Sequence, residues 1–465
     1  MAIFSYCLLL LNALDVILFF RQVHLFISKN ERGGEMKFTK KGLLLKTMAV
    51  VFVISLLTPF GIMKSYADTQ TPEPSITAKY AITMDLKTGE VIYSKNADAK
   101  AYPASITKLL TAIIFAENAH KTDTIKFTES AKAQPQYSLH SNWPGVTMKV
   151  GDTMSADDVM KGLLMFSGND AAYMIADHVS GSAESFADLM NKKAQEIGMK
   201  NSHFVTPNGL HNVDHYTTAY DLALLTKAAF NNPWVKEVME TKNATIALGG
   251  KTVNLENRNR TLGKYGNEAG KTGTTNQAGE CLAAVYNRDG REIIGVVLNS
   301  AVSANDTTRY NDMNAIMDYS YNAKPAVIKS AGDSVDNVTL SYKMFKFFGP
   351  EKTIEAPVKL SEDAMLYKNS FNEKNYKIDF NSDNHDAWSV ATHKNVDLNL
   401  SVKEYSTTLK GTIGVSVGQL LKANIFAYLG IILAIVIIVL IIIFLIRTIN
   451  KRRYRKRRYG SYRRY

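Results

Sequence analysis

The sequence predicts an α+β domain of antiparallel sheet and helices, followed by a small β-sandwich-like domain and a C-terminal transmembrane helix. Three observations carry this. Hairpin patterns stand at both ends of residues 77–325, with helical periodicity between them. Short alternating segments separated by Asn, Asp, Gly and Pro fill residues 326–415. Ile425–Ile446 is an uncharged apolar run of 22 residues.

The elements follow in chain order. "KYAITMDLKTGEVIYSKN" reads as a strand, a turn at Thr88-Gly89 and a returning strand. "GLLMFSGNDAAYMIADHV" and "YDLALLTKAAF" read as helices. "ECLAAVYNRDGREIIGVVLNS" is a second hairpin, turning at Asp289-Gly290. "VDNVTLSYKMF", "YKIDF" and "VDLNLSVKEY" read as strands of the smaller domain, residues 326–415. At 1.5 Å per residue the run 425–446 makes roughly 33 Å of helix, enough to cross the hydrocarbon core. The basic tail, residues 447–465, follows at once. The positive-inside rule therefore predicts a cytoplasmic tail and an extracytoplasmic position for residues 68 to about 424.

The amino-terminal region carries the parts of a secretory signal over residues 36–67: basic Lys37, Lys40, Lys41 and Lys46, an apolar stretch from Met48 to Phe60, and the small-x-small site Ser65-Tyr66-Ala67. Asp68 is the expected mature start, and an uncleaved amino-terminal anchor is the alternative. Upstream, "ERGGEM" is what a purine-rich ribosome-binding site and start codon spell when translated. Residues 1–35 are therefore expected to be a mis-annotated upstream extension, with a genuine apolar leader as the alternative.

The formal charge is +12, but it sits at the ends. About ten Lys and Arg lie in the tail and about five net positive charges lie in residues 1–67, so the middle is near neutral. A basic nucleic-acid-binding face is not expected, and nucleic acid is excluded as a partner. The two cysteines are Cys7 and Cys281, and Cys7 lies in a segment expected to be absent from the mature chain, so no internal disulfide is expected. His211 and His215 lack a metal-site pattern and read as loop histidines; no metal or organic cofactor is implied.

Ser105-Ile-Thr-Lys108 alone is a weak signal, because Ser-x-x-Lys recurs by chance. Its weight comes from order: Ser167-Gly168-Asn169 follows, and then Lys271-Thr272-Gly273 on an expected strand. A serine hydroxyl is a poor nucleophile at neutral pH and must lose its proton to a nearby base as it attacks. At i and i+3 near the start of a helix, Ser105 and Lys108 share a face. Lysine acts as that base only where burial or a neighbouring cation favours its neutral form, and Lys271 offers such a cation. The amino terminus of a helix near Ala104 is expected to add a favourable field.

With these motifs, and with "YPASITKLLTA", "LMFSGNDAAYMIADHVSG", "AQEIGMKNSHFVTPNGLHN", "YTTAYDLALLTKAA" and "AGKTGTTNQAGECLAAV", the sequence resembles the low-molecular-mass penicillin-binding proteins, the serine-type D-alanyl-D-alanine carboxypeptidases of peptidoglycan maturation. The resemblance is strong over residues 77–325 and looser over 326–415, and it implies a β-lactamase/transpeptidase-like domain over residues 68–325. It implies that Ser105 attacks the carbonyl between two terminal D-alanines, that Lys108 accepts its proton, and that Ser167 and Lys271 relay a proton to the departing D-alanine. It further implies that Asn169 holds the substrate amide and Lys108. The oxyanion is then expected between the N–H groups of Ser105 and Thr274. Thr272 and Thr274 supply hydroxyls for the substrate carboxylate, Gly273 lets the substrate strand approach, and Arg309 completes the carboxylate site unless it is a solvated surface arginine.

The implied partners are a peptidoglycan stem peptide ending in D-Ala-D-Ala, β-lactam antibiotics as inhibitors, and the membrane through the C-terminal helix. The rival readings are a class A β-lactamase, a D,D-endopeptidase or transpeptidase, and a non-catalytic wall-binding protein. No E-x-x-L-N pattern lies between Asn169 and Lys271, which speaks against rapid β-lactam hydrolysis. A binding module has no need for the complete set of seven motif residues. About 38 residues between Asp68 and Ser105 leave no room for an amino-terminal glycosyltransferase domain.

Overall fold

The computed structural model describes residues 72–135, 137–380 and 386–460, with side chains to residue 455. The expected extension 1–35 and signal segment 36–67 lie outside the described residues.

The central sheet has five antiparallel strands: β1 (Tyr80–Asp85), β2 (Val91–Lys95), β3 (Asn267–Thr275), β4 (Gly279–Arg288) and β5 (Arg291–Ser300), in the order β2-β1-β5-β4-β3. The first hairpin forms from the first predicted pair, and β4–β5 turns at Asp289 and Gly290, whose φ values of 54° and 82° suit Asp-Gly. The two ends of the sequence that builds this sheet thus meet in mid-sheet, because β1 pairs with β5 across more than 200 residues of sequence.

Alternation along the strands sorts side chains into two layers. On β4, Leu282, Ala284 and Tyr286 face the layer that holds Met313, Ile316 and Met317 of the helix Thr308–Asn322, whereas Cys281, Ala283 and Val285 join the larger core. That core receives helix α1 (Lys108–Asn118), helix α2 (Asn169–Ser180) and helix α3 (Ala219–Asn231). Because both faces of β4 and β5 are covered, their sequences read as nearly continuous apolar runs. A threonine-to-aspartate spacing starts α3 cleanly: Thr218 caps it by accepting from the backbone N–H of Asp221.

The single helix expected across "GLLMFSGNDAAYMIADHV" is interrupted. Residues Gly162–Phe166 form a wider i→i+5 turn, Ser167 takes a left-handed conformation (φ 72°), and α2 begins at Asn169. This interruption puts Ser167 and Asn169 at the sheet rather than within a helix flank.

Residues 326–413 form a five-stranded antiparallel sheet from β6 (Ser334–Lys343), β7 (Glu351–Leu360), β8 (Tyr376–Asp379), β9 (Asn395–Val402) and β10 (Tyr405–Ile413), ordered β6-β7-β10-β9-β8. A two-stranded ribbon, Ala326–Lys329 with Ala364–Leu366, accompanies it. A polar and aromatic seam ties this part to the first: Asn372 donates to the carbonyl of Val91 at 2.8 Å, and Phe371 stacks on Tyr220 at 4.9 Å between ring centroids. A short helix, α4 (Val417–Ala423), starts with a reciprocal cap between Ser416 and Gln419. Helix α5 (Ile425–Gly460) follows, with an apolar stretch of mean hydropathy 3.8, long enough to cross a membrane. The helix continues through the basic segment after Arg447, which a run of Lys and Arg with no acid permits once the helix is nucleated.

Candidate active site

Ser105 lies in a tight turn, Ala104–Thr107, of i→i+3 type that runs directly into α1. The α-helix therefore begins at Lys108 rather than near Ala104, and the three-residue offset between Ser105 and Lys108 spans the junction. Ala104 has φ 48°, unusual for a residue with a side chain, so surrounding contacts must hold the turn. Two glycines do so by close approach. A Cβ on Gly209 would overlap the Ala104 carbonyl oxygen, and one on Gly273 would lie 3.0 Å from both the Pro103 carbonyl oxygen and the Ser105 nitrogen. Strand β3 thus presses its Gly273 backbone against the serine turn.

Lys108 is wholly buried, and its Nζ donates to Ser105 Oγ at 3.0 Å, Asn169 Oδ1 at 3.0 Å and the Asn208 carbonyl at 2.8 Å. Burial, and then the Arg258 guanidinium, push its pKa down from 10.5 to about 7, against a smaller opposing pull from Asp170. Lys271, 1% exposed on β3, donates to Ser167 Oγ and to the Thr272 carbonyl, each at 2.9 Å. Its pKa lies well below the ordinary lysine value because of burial, and then because Lys108, Arg258 and Arg309 repel a further charge. Two lysines are thus each paired with a serine.

Asn169 opens α2 beside the Ser167 turn, and its N–H donates to the Tyr137 carbonyl at 2.9 Å. Next to it Asp170, fully buried, accepts from the backbone N–H groups of Leu139 and His140 and fixes the 137–141 loop against the site.

Thr272 is buried and Thr274 exposed on β3. Arg309 is 1% exposed, so it is not a solvated surface arginine. Its Nη1 donates to the carbonyls of Gly273 (2.8 Å) and Cys281 (2.9 Å), and its Nη2 to Thr274 Oγ1 (2.7 Å) and Asp306. Glu280 lies 3.6 Å from its Nε. With two carboxylates beside it, Arg309 reaches the site through the Thr274 hydroxyl.

Every residue singled out from the sequence is therefore at this one site or directly behind it. Two contributors were missed. Arg258 stacks its guanidinium between the Tyr137 and Phe166 rings (4.6 and 5.0 Å to the centroids) and acts on both lysines. Nothing in "LENRN" distinguishes it from any loop arginine. His215, read as a loop histidine, is buried: its Nδ1 accepts from the N–H of Val205 (3.1 Å), which leaves Nε2–H to meet Thr107 Oγ1 at 2.9 Å. The histidine thereby braces the residue between Ser105 and Lys108. The sequence shows only that it lacks a metal-site pattern.

A serine backed by a buried lysine, beside a second serine–lysine pair whose lysine stands on the edge strand of the sheet, is the arrangement of the penicillin-binding acyltransferase fold. The family model for D-alanyl-D-alanine carboxypeptidase matches residues 67–302, half of the chain, and the chain belongs to that family. It is 31% identical over 260 residues to the D-alanyl-D-alanine carboxypeptidase DacF of Bacillus subtilis, a match that takes in 56% of this chain and 66% of that protein, just under two thirds of its length. Among solved structures, the D-alanyl-D-alanine carboxypeptidase of Mycobacterium tuberculosis H37Rv is 26% identical, with a TM-score of 0.51, over 56% of this chain and 96% of that one. The D-alanyl-D-alanine carboxypeptidase DacD of Francisella tularensis, at 22% identity and a TM-score of 0.52, shares the fold over 74% of this chain and 95% of its own.

Proposed function

We propose that this chain removes the terminal D-alanine from peptidoglycan stem peptides ending in D-Ala-D-Ala, through an acyl-enzyme on Ser105. The observation that carries this reading is the hydrogen-bonding of Lys108. Of its three partners, Asn169 Oδ1 and the Asn208 carbonyl only accept, whereas the Ser105 hydroxyl can also donate. A neutral Lys108 therefore gives its two hydrogens to Asn169 and Asn208 and turns its lone pair to the Ser105 proton. Ser105 Oγ attacks the carbonyl carbon as that proton moves to Nζ, and the oxyanion lies between the N–H groups of Ser105 and Thr274. Collapse breaks the peptide C–N bond. The departing amine takes a proton through the Ser167 hydroxyl and Lys271, whose pairing at 2.9 Å supports a relay. Water then hydrolyses the ester and restores Ser105.

Thr272 and Thr274 receive the substrate's terminal carboxylate, with Arg309 behind Thr274, and Asn169 holds the substrate amide as well as Lys108. Domains divide as residues 68–325 for catalysis, 326–415 for a small β-rich domain, 425–446 for the membrane span and 447–465 for a cytoplasmic tail. The signal segment 36–67 directs export and leaves the catalytic domain on the extracytoplasmic side. β-Lactams mimic the substrate and acylate Ser105.

Mass spectrometry of the protein after incubation with a penicillin, and separately with a peptide ending in D-Ala-D-Ala, tests the reading. A lasting adduct on Ser105 and release of one D-alanine are expected. Full activity in Ser105→Ala, or rapid turnover of the penicillin, overturns it.

A further inference from the structure

The turn between β6 and β7 has a composition that its place in a small soluble sheet does not require. Residues 343–352 read "KMFKFFGPEK", and Phe347 and Phe348 are 78% and 67% exposed. Lys346 at φ 67° and Gly349 at φ 100° tighten the turn and push these rings outward. Phe348 stacks on Phe345 at 5.1 Å between centroids, so the two rings form one apolar projection.

This projection is attached to the start of α5. The Tyr428 hydroxyl donates to the Met344 carbonyl at 2.6 Å, and the Phe345 and Tyr428 rings are 5.5 Å apart. Asn424, the residue before α5, donates to the Tyr342 hydroxyl at 3.0 Å. Tyr428 is only three residues into the apolar run, roughly 4–5 Å along the helix axis from its start. The turn is therefore fixed at the level where the run begins, which is where aromatic side chains gather at a membrane surface. Lys343 and Lys346 are exposed on the same turn, positioned for anionic lipid phosphates while the rings go deeper.

We propose that this turn is a second membrane contact, in which Phe347 and Phe348 enter the interfacial layer of the bilayer beside the first turns of α5. The proposal rests on the reading of Ile425–Ile446 as a membrane span. A single helix leaves the attached domain free to swivel about its axis. Two contacts, made by the helix and by a hairpin turn held to it, set the tilt of the β-rich domain. Through the Asn372–Val91 and Phe371–Tyr220 seam they also set the height and direction of the catalytic cleft above the membrane.

The test uses the full chain in a Cys7→Ser background, with Phe347→Cys or Ile435→Cys labelled with a polarity-sensitive fluorophore. Cys281 is buried and does not compete for label. Each protein is reconstituted into vesicles of phosphatidylethanolamine and phosphatidylglycerol containing lipids brominated at shallow or deep positions. The expected result is deep quenching at Ile435 and shallow quenching at Phe347, with emission at Phe347 shifted to the blue. Deep quenching at Ile435 with water-like, unquenched emission at Phe347 overturns the proposal alone. Absence of quenching at both sites overturns the membrane span and the proposal with it, and shallow quenching at Phe347 without quenching at Ile435 overturns the span and likewise the proposal of a second contact beside it. Phe348→Cys provides the same measurement where Phe347→Cys folds poorly.

Discussion

On the proposed mechanism Lys108 sets the pH at which Ser105 reacts, and the size of its effect follows from its surroundings. An ordinary lysine with a pKa near 10.5 is neutral in roughly one molecule in three thousand at pH 7, whereas one near 7 is neutral in about half. Burial and Arg258 thus raise the reactive fraction on the order of a thousandfold, equivalent to about 4 kcal/mol. The rate constant for acylation by a fluorescent penicillin, followed by rapid quench from pH 5 to 9.5, is expected to rise about tenfold per unit below pH 7 and to level off above it. Arg258→Gln removes the second cause of the depression and should move the inflection up by roughly one unit without removing the plateau. The same shift has a thermodynamic sign. The unfolded chain keeps this proton to about pH 10.4 and the folded chain releases it near 7, so the penalty is complete below pH 7. It is relieved at roughly 1.4 kcal/mol per unit as pH rises between those values. An acylation profile that is flat through neutrality, or that turns only near pH 10, would refute the assignment of Lys108 as the base.

His215 gives a dependence of the same sign in a more acidic window. Burial, and then His203, His211 and Lys108, hold its pKa down at about 3, while the unfolded chain takes the proton below about 6.5. Stability should therefore fall by roughly 1.4 kcal/mol per unit as pH drops from 6.5 toward 3, read as a falling urea midpoint. His215→Gln should lose that slope, and an unchanged slope would sink the assignment. Gly273→Ala should slow acylation by on the order of a hundredfold, because its Cβ meets the Pro103 carbonyl and the Ser105 nitrogen and moves β3 off the serine turn. Its melting temperature should change by only a few degrees, and an unimpaired acylation rate would show that the close approach is unimportant.

The hairpins were legible because turn dipeptides announce them: Asp289-Gly290 supplies two positive φ values at low cost between two β-rich runs. The three motifs were legible only as an ordered set, since each alone occurs by chance. What stayed hidden depends on contacts between distant residues. Leu163, Leu164, Met165 and Phe166 are all compatible with a regular helix, so nothing local signals the wide turn that brings Ser167 into a left-handed conformation. Arg309 sits in "NDTTRYND", a polar surface-like context, and its burial is explained by Glu280 and two strand carbonyls that only the folded sheet brings near. Arg258 acts at a distance through its charge, which leaves no spacing pattern to find.

If the proposed mechanism holds, the distribution of charge at the site links substrate recognition to proton transfer. Burial apart, Lys108, Arg258 and Arg309 each lower the readiness of Lys271 to hold a proton. Arg309 already has Asp306 and Glu280 beside it, so the uncompensated positive charge rests with Arg258 and with whichever lysine holds a proton. A substrate carboxylate arriving at Thr272 and Thr274 offsets part of that excess and raises the proton affinity of Lys271. On the proposed mechanism, binding of the correct end of the peptide thereby charges the group that delivers a proton to the departing D-alanine. A substrate whose terminal carboxylate is replaced by an amide keeps its shape but brings no charge. It should lose in kcat as well as in KM, on the order of tenfold or more in kcat, if the carboxylate tunes the relay. Were the carboxylate only an anchor, the amide would raise KM and leave kcat unchanged, and steady-state kinetics of D-alanine or D-alaninamide release distinguishes the two outcomes.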